Sequence, residues 1–229
     1  MKKTSKAILV VLCALMLVIG SVMGTMAYLT YQTKTVKNTF TVGNVNLGGT
    51  EIQNPANPSE TIIQEGLDEA LVNAYGEKLN VAGEVAESGD TLAARVLENE
   101  YKLIPGHSYV KDPTIHVGAD SEACWLFVEV ANGIEGIEAG TTIAEQMAAN
   151  GWKHMSGNVY AYKEVVETND TGKDVIVFSG FEIRDDVTVA DLQNYKSANV
   201  TVVAYAVQAE GFNTAAAAWT ETFGKTTTP

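Results

Sequence analysis

Asn199-Val200-Thr201-Val202-Val203-Ala204-Tyr205-Ala206-Val207-Gln208 is the stretch that decides the fold. Successive side chains of a strand point to opposite faces. Thr201, Val203, Tyr205 and Val207 therefore share one face, and Val200, Val202, Ala204 and Ala206 the other. Both faces are mostly apolar, the pattern of a strand covered on both sides, so it should be central. A second such run extends from Trp125 to Ala131, broken only by Glu129 and closed by an Asn132-Gly133 turn.

Outward from these two runs, shorter strand signals alternate with turn chemistry. Tyr101-Lys102-Leu103-Ile104 ends at Pro105-Gly106, and Lys111-Asp112-Pro113 leads into Thr114-Ile115-His116-Val117. Residues 159–167 and 174–178 flank Thr168-Asn169-Asp170-Thr171-Gly172-Lys173, which reads as a hairpin loop. Near the start, Phe40 and Val42 alternate with polar residues, while Val45 and Leu47 continue one residue out of phase. Gly43 lies at the shift and marks a bulge.

Helical spacing is rarer. Ile62, Ile63, Leu67, Leu71 and Val72 predict a helix over 61–75, weakened by Gly66. Ile143 and Met147 share one face of a short helix over 141–150, ended by Asn150-Gly151. Asn213 caps a last helix over 214–223, with Gly224 just past its end. Strands without regular strand–helix alternation indicate a mainly β fold, an antiparallel β-sandwich or jelly roll with a few short peripheral helices. No internal repeat of fixed period is apparent.

Residues 1–27 stand apart. Lys2, Lys3 and Lys6 precede an uncharged apolar run from Ala7 to Met23, and small residues stand at Thr25 and Ala27, where a signal peptidase needs them. Cleavage between Ala27 and Tyr28 is expected, which makes the chain a secreted one. The membrane would then be met only through the uncleaved segment. Cys13 follows Leu12 too early in the run for a lipid-anchor site. Residues 28–47 form an N-terminal arm and first strand, and 48–98, with Gly48-Gly49 and Asn54-Pro55-Ala56-Asn57-Pro58-Ser59, an insertion expected to be partly flexible. The sandwich core spans 99–224 together with 38–47, and the Thr-rich 225–229 reads as a disordered tail.

All 28 acidic residues lie beyond Ala27 against 12 of the 15 basic ones, a net charge of −16 for that part. Such a surface disfavours nucleic acid and anionic lipid. Only Cys124 remains after cleavage, so no intramolecular disulfide is possible. The sequence carries no His-Glu-x-x-His, Gly-x-Ser-x-Gly, Gly-rich phosphate loop or Cys-x-x-Cys. His116 and Cys124 are the one imaginable base and nucleophile, but Cys124 lies in apolar sequence. Asp90, Asp185-Asp186 and the 168–174 loop lack the spaced ligands of a calcium loop. Trp125, Tyr160, Tyr162 and Tyr205 sit in strand patterns and read as core. No catalytic residue, metal or cofactor is expected.

Gly24-Thr25-Met26-Ala27-Tyr28-Leu29-Thr30, followed by Asn38-Thr39-Phe40-Thr41-Val42-Gly43-Asn44-Val45, resembles exported Gram-positive proteins processed by the SipW type of signal peptidase. That family includes TasA-like biofilm-matrix fibre subunits and camelysin-like surface proteins. Leu29 stands where the family usually has Phe, and Tyr31 where it has Asp. Pro105-Gly106, Lys111-Asp112-Pro113-Thr114 and Tyr205-Ala206-Val207-Gln208 also look like segments of such proteins. The resemblance implies a jelly-roll subunit that polymerises head-to-tail when its freed N-terminal strand adds to the next copy. Leu29, Tyr31, Phe40 and Val42 would be the anchors of that strand. It also implies other matrix or surface proteins as possible partners. The protease activity given to camelysin-like members is not carried over, because no zinc site is recognisable. The alternative is a monomeric surface adhesin or ligand-binding module whose 48–98 insertion makes the contact.

Overall fold

The computed structural model describes residues 30–32, 47, 50–54, 57–64, 66–119, 121–168 and 171–224. Thirteen strands run in chain order among them: β1 (Thr30–Gln32), β2 (Thr50–Asn54), β3 (Asn57–Gln64), β4 (Leu67–Asp68), β5 (Ser108–Val110), β6 (Thr114–Val117), β7 (Cys124–Asn132), β8 (Glu138–Ala139), β9 (Trp152–Ser156), β10 (Val159–Tyr162), β11 (Lys173–Ile176), β12 (Gly180–Ile183) and β13 (Val200–Gln208). Short helices span Ile143–Ala149, Val189–Leu192 and Ala215–Thr222. Every ladder is antiparallel, and the fold is mainly β, a sandwich with peripheral helices.

One layer is a five-stranded sheet in the order β1-β13-β7-β10-β9. Its spine is the pairing of β7 with β13, which runs without a break from Val200 opposite Asn132 to Gln208 opposite Cys124. Across the core stand two three-stranded sheets, β11-β6-β4 and β5-β12-β8, while β2 and β3 form a separate ribbon. Cys124, Leu126, Val128 and Val130 of β7 point inward with Ala204 and Ala206 of β13. They share one apolar cluster with Ile115 and Val117 of β6, Val175 of β11, and Phe181 and Ile183 of β12.

The opposite face of β7 and β13 is buried too, as their sequences require. Phe127, Tyr205 and Val207 pack under the C-terminal helix, where Trp219 lies 5.1 Å from Phe127 and 5.4 Å from Tyr205, ring to ring. Glu129 stays exposed on that face and accepts the Tyr205 hydroxyl at 3.1 Å. Thr214, not Asn213, caps the helix, its hydroxyl accepting the Ala217 N–H. The helix Ile143–Ala149 opens with the reciprocal Thr142–Glu145 capping box. Gln146 of that helix, Asn150 at its end and Trp152 of β9 donate to the carbonyls of Gly180, Val177 and Ile176, which satisfies the backbone between β11 and β12.

Several expectations are overturned. Residues 61–75 are not a helix: β3 runs to Gln64, Gly66 follows after one residue, and Leu67–Asp68 is a strand. A Cβ on Gly66 would come within 2.8 Å of the Leu47 backbone, so glycine is needed where the chain passes buried Leu47. The β-branched pair Ile62 and Ile63 fits a strand as readily as a helix. Asn57-Pro58-Ser59 begins β3 rather than extending the loop. Tyr101–Ile104 joins no ladder among the described residues. Residues 159–167 and 174–178 do not pair as a hairpin. β10 pairs with β7 and β9, Val166 exchanges both backbone bonds with Cys124, and β11 pairs with β6. β13 is flanked by β7 throughout but by β1 only at Tyr205–Val207, so its other half borders no further strand among the described residues.

Leu126 is fully buried on the inner face of the β7–β13 ladder, opposite Ala206. Leu126→Ala is expected to destabilise the fold by about 2–5 kcal/mol, read from the urea midpoint, because it removes a buried side chain and leaves a cavity.

Candidate functional site

The candidate site is the β13 edge of the large sheet and the groove beside it. β1 lies antiparallel on this edge, with Thr30 opposite Val207, Tyr31 opposite Ala206 and Gln32 opposite Tyr205. The backbone groups of β13 that face away from β7 are the ones a strand on this edge pairs with. Such an edge is a template for another strand.

A groove of about 1060 Å³ opens along Val200–Val202. Leu103, Ile104, Ile134, Phe181, Leu192 and Tyr195 contribute to its lining. Its lining is mainly apolar but includes buried Glu69, joined to Lys111 at 2.6 Å. The 97–105 wall is fastened through Tyr109, whose hydroxyl donates to the Lys102 carbonyl at 2.7 Å and accepts the Ile104 N–H at 2.8 Å. Tyr109 stacks on Phe181 at 4.8 Å, and Tyr101 meets both rings edge-on. Burial pushes the Tyr101 phenol upward, and the charges of Glu69 and Asp112 push the same way.

The wall belongs to a segment, 66–112, that is held by polar contacts more than by apolar ones. Asp112 accepts the Ala70 N–H at 2.7 Å and the Lys78 ammonium at 3.0 Å. The Arg95 guanidinium bonds the Asp68 carboxylate, the Asp112 carbonyl at 2.8 Å and the Thr114 hydroxyl at 3.0 Å. Asn99 donates to Glu69 and Ala70 and accepts from Val72. Burial works to raise the Asp112 carboxyl, but the Ala70 N–H, Lys78 and Arg95 outweigh it and hold it below its ordinary value.

Sequence reading missed a two-copy turn in this segment. Asn73-Ala74-Tyr75-Gly76-Glu77 and Asn80-Val81-Ala82-Gly83-Glu84 fold alike. In each, the Asn side-chain oxygen accepts from the backbone two and four residues on, at Tyr75 and Glu77 and at Ala82 and Glu84. Gly76 and Gly83 take φ of 75° and 79°, the left-handed region that glycine enters freely. The Asn-x-x-Gly-Glu spacing was the available signal.

Of the expected site residues, Tyr31 lies in β1, on the β13 edge. Thr25, Ala27, Tyr28, Leu29, Phe40 and Val42 lie outside the described residues. Cys124 and His116 are not brought together as a nucleophile and base: Cys124 is wholly buried, its thiol pushed up to about 12 by burial, and both ring nitrogens of His116 face carboxylates. Among the described residues no cluster of three or more His, Cys, Asp or Glu could hold a metal, and no helix is long and apolar enough to cross a membrane. No family model, no curated protein and no solved structure matches the chain.

Asp112→Asn is expected to cost about 2 kcal/mol at neutral pH, in urea unfolding, by weakening charge-assisted bonds to a buried group. Because the folded carboxyl titrates below its unfolded value, that contribution is present above about pH 4 and fades as pH falls further. The two proteins should therefore converge in stability in acid.

Proposed function

We propose that the chain is a secreted matrix or surface-fibre subunit whose N-terminal arm adds as a strand to a neighbouring copy. The observation that supports this reading is β1 itself. It is an N-terminal strand, described at Thr30–Gln32, that lies antiparallel on the β13 edge of the large sheet. An N-terminal strand on a sheet edge can exchange with the same strand of another copy. Main-chain bonds would supply the affinity, and alternate side chains, Leu29 and Tyr31 first, the register. The export signal and its resemblance to SipW-processed matrix proteins supply the compartment, since the arm has no free end until Ala27 is cut away. The exchange is head-to-tail and does not close, so it propagates.

One observation favours the second reading, a monomeric adhesin. Tyr75, Val81, Val85, Leu92 and Leu97 are large apolar side chains exposed on the 66–112 segment, and exposed apolar groups can serve to bind a partner.

Protein beginning at Tyr28 is expected to form filaments by electron microscopy, and protein lacking residues 28–37 to remain monomeric. Monomers in both preparations would remove the fibre reading. Capture of a surface partner that depends on residues 75–97, without filaments, would put the adhesin in its place.

A further inference from the structure

His116 stands on β6, the middle strand of the β11-β6-β4 sheet, and reaches both neighbours. Its Nδ1 lies 2.6 Å from Asp174 Oδ1 on β11, directly across the ladder. Its Nε2 lies 3.0 Å from Asp68 Oδ1 on β4. Ionised carboxylates only accept hydrogen bonds, so both nitrogens must donate, and only the imidazolium has two N–H groups. Neutral imidazole would turn a lone pair toward one of the two oxygens.

The charges around the ring point the same way. From the 66–112 segment come Asp68, Arg95, Asp112 and Lys78, and from β11 comes Asp174. Glu69 and Lys111 pair with each other. Asp68, Asp112 and Asp174 are balanced by Arg95, Lys78 and a protonated His116. Without that proton the cluster keeps one uncompensated negative charge beside Asp68, which is only 4% exposed. An unpaired buried charge is costly.

We propose that His116 is the pin of a pH-sensitive latch that clamps β4, and with it the 66–112 segment, to the sandwich while the ring is protonated. Burial alone would lower the His116 pKa, but the hydrogen bonds and charges of Asp68, then Asp174, outweigh it and raise it. A raised folded pKa means that the stabilisation is complete below the unfolded value of about 6.5 and is lost as pH rises through the folded value. The groove wall at 97–105 lies on the clamped segment, so the latch also governs how firmly that wall is held. The latch does not depend on the fibre reading.

The test is NMR on the full chain, following the His116 ring and the exchange protection of the mutually bonded Glu69 and Val96 amides. His116 is expected to titrate above about 6.5. Protection, corrected for intrinsic exchange, should hold up to that pH and then fall, about tenfold for each unit by which the folded pKa exceeds the free one. His116→Gln should abolish the pH dependence. Should that variant fail to fold, Asp174→Asn carries the test, because its side chain is 68% exposed. That change should lower the His116 pKa and shift the loss of protection to lower pH. A His116 pKa at or below about 6.5, flat protection from about pH 6 to about pH 9, or an Asp174→Asn protein titrating like the parent would overturn the latch.

Discussion

The unbroken ladder between β7 and β13 is the constraint from which the rest of the architecture follows. Each strand is apolar on both faces, so the pair is stable only if both faces are covered. The inner face is closed by the β11-β6-β4 and β5-β12-β8 sheets, the outer one by the C-terminal helix. Layers on both sides of one ladder bury roughly 1.5–3 kcal/mol for each large apolar side chain taken out of water. That is how this domain holds together with Cys124 as the one cysteine beyond Ala27.

The 66–112 segment obeys a different economy. It places few large side chains in the core and is fixed by carboxylates that accept several donors each. Contacts of that kind need geometry more than volume, and they respond to protonation in a way that apolar packing does not. Two chemically distinct attachments therefore coexist in one fold. The ladder carries the stability, and the charged cluster positions the groove wall against it.

The two long strands were legible because burial on both faces leaves an apolar mark on every residue. The Asn150-Gly151 signal placed the end of a helix for a similar reason, since caps are local chemistry. What failed was non-local. Residues 159–167 and 174–178 are neighbours in sequence, yet Val166 pairs with Cys124 and β11 with β6, a choice no local pattern records. The supposed helix at 61–75 failed because Ile62, Ile63 and Leu67 satisfy two periods at once, and only Leu47 pressing on Gly66 decides between them. The polar cluster was invisible for the same reason: Ala70 and Asp112 are 42 residues apart, and His116 and Asp174 are 58 apart. The edge was half legible. Nothing local to Thr30–Gln32 records their pairing with β13.

β1 is tethered to the edge that it covers, and the tether has a kinetic and a mass-action meaning. Pairs at a sheet edge, such as those of Thr30–Gln32 with Tyr205–Val207, open by local fraying before a sandwich unfolds. Any strand from solution that would take their place competes with an arm whose effective concentration is on the order of millimolar. A strand other than β1 can therefore occupy the β13 edge only at a comparable local concentration.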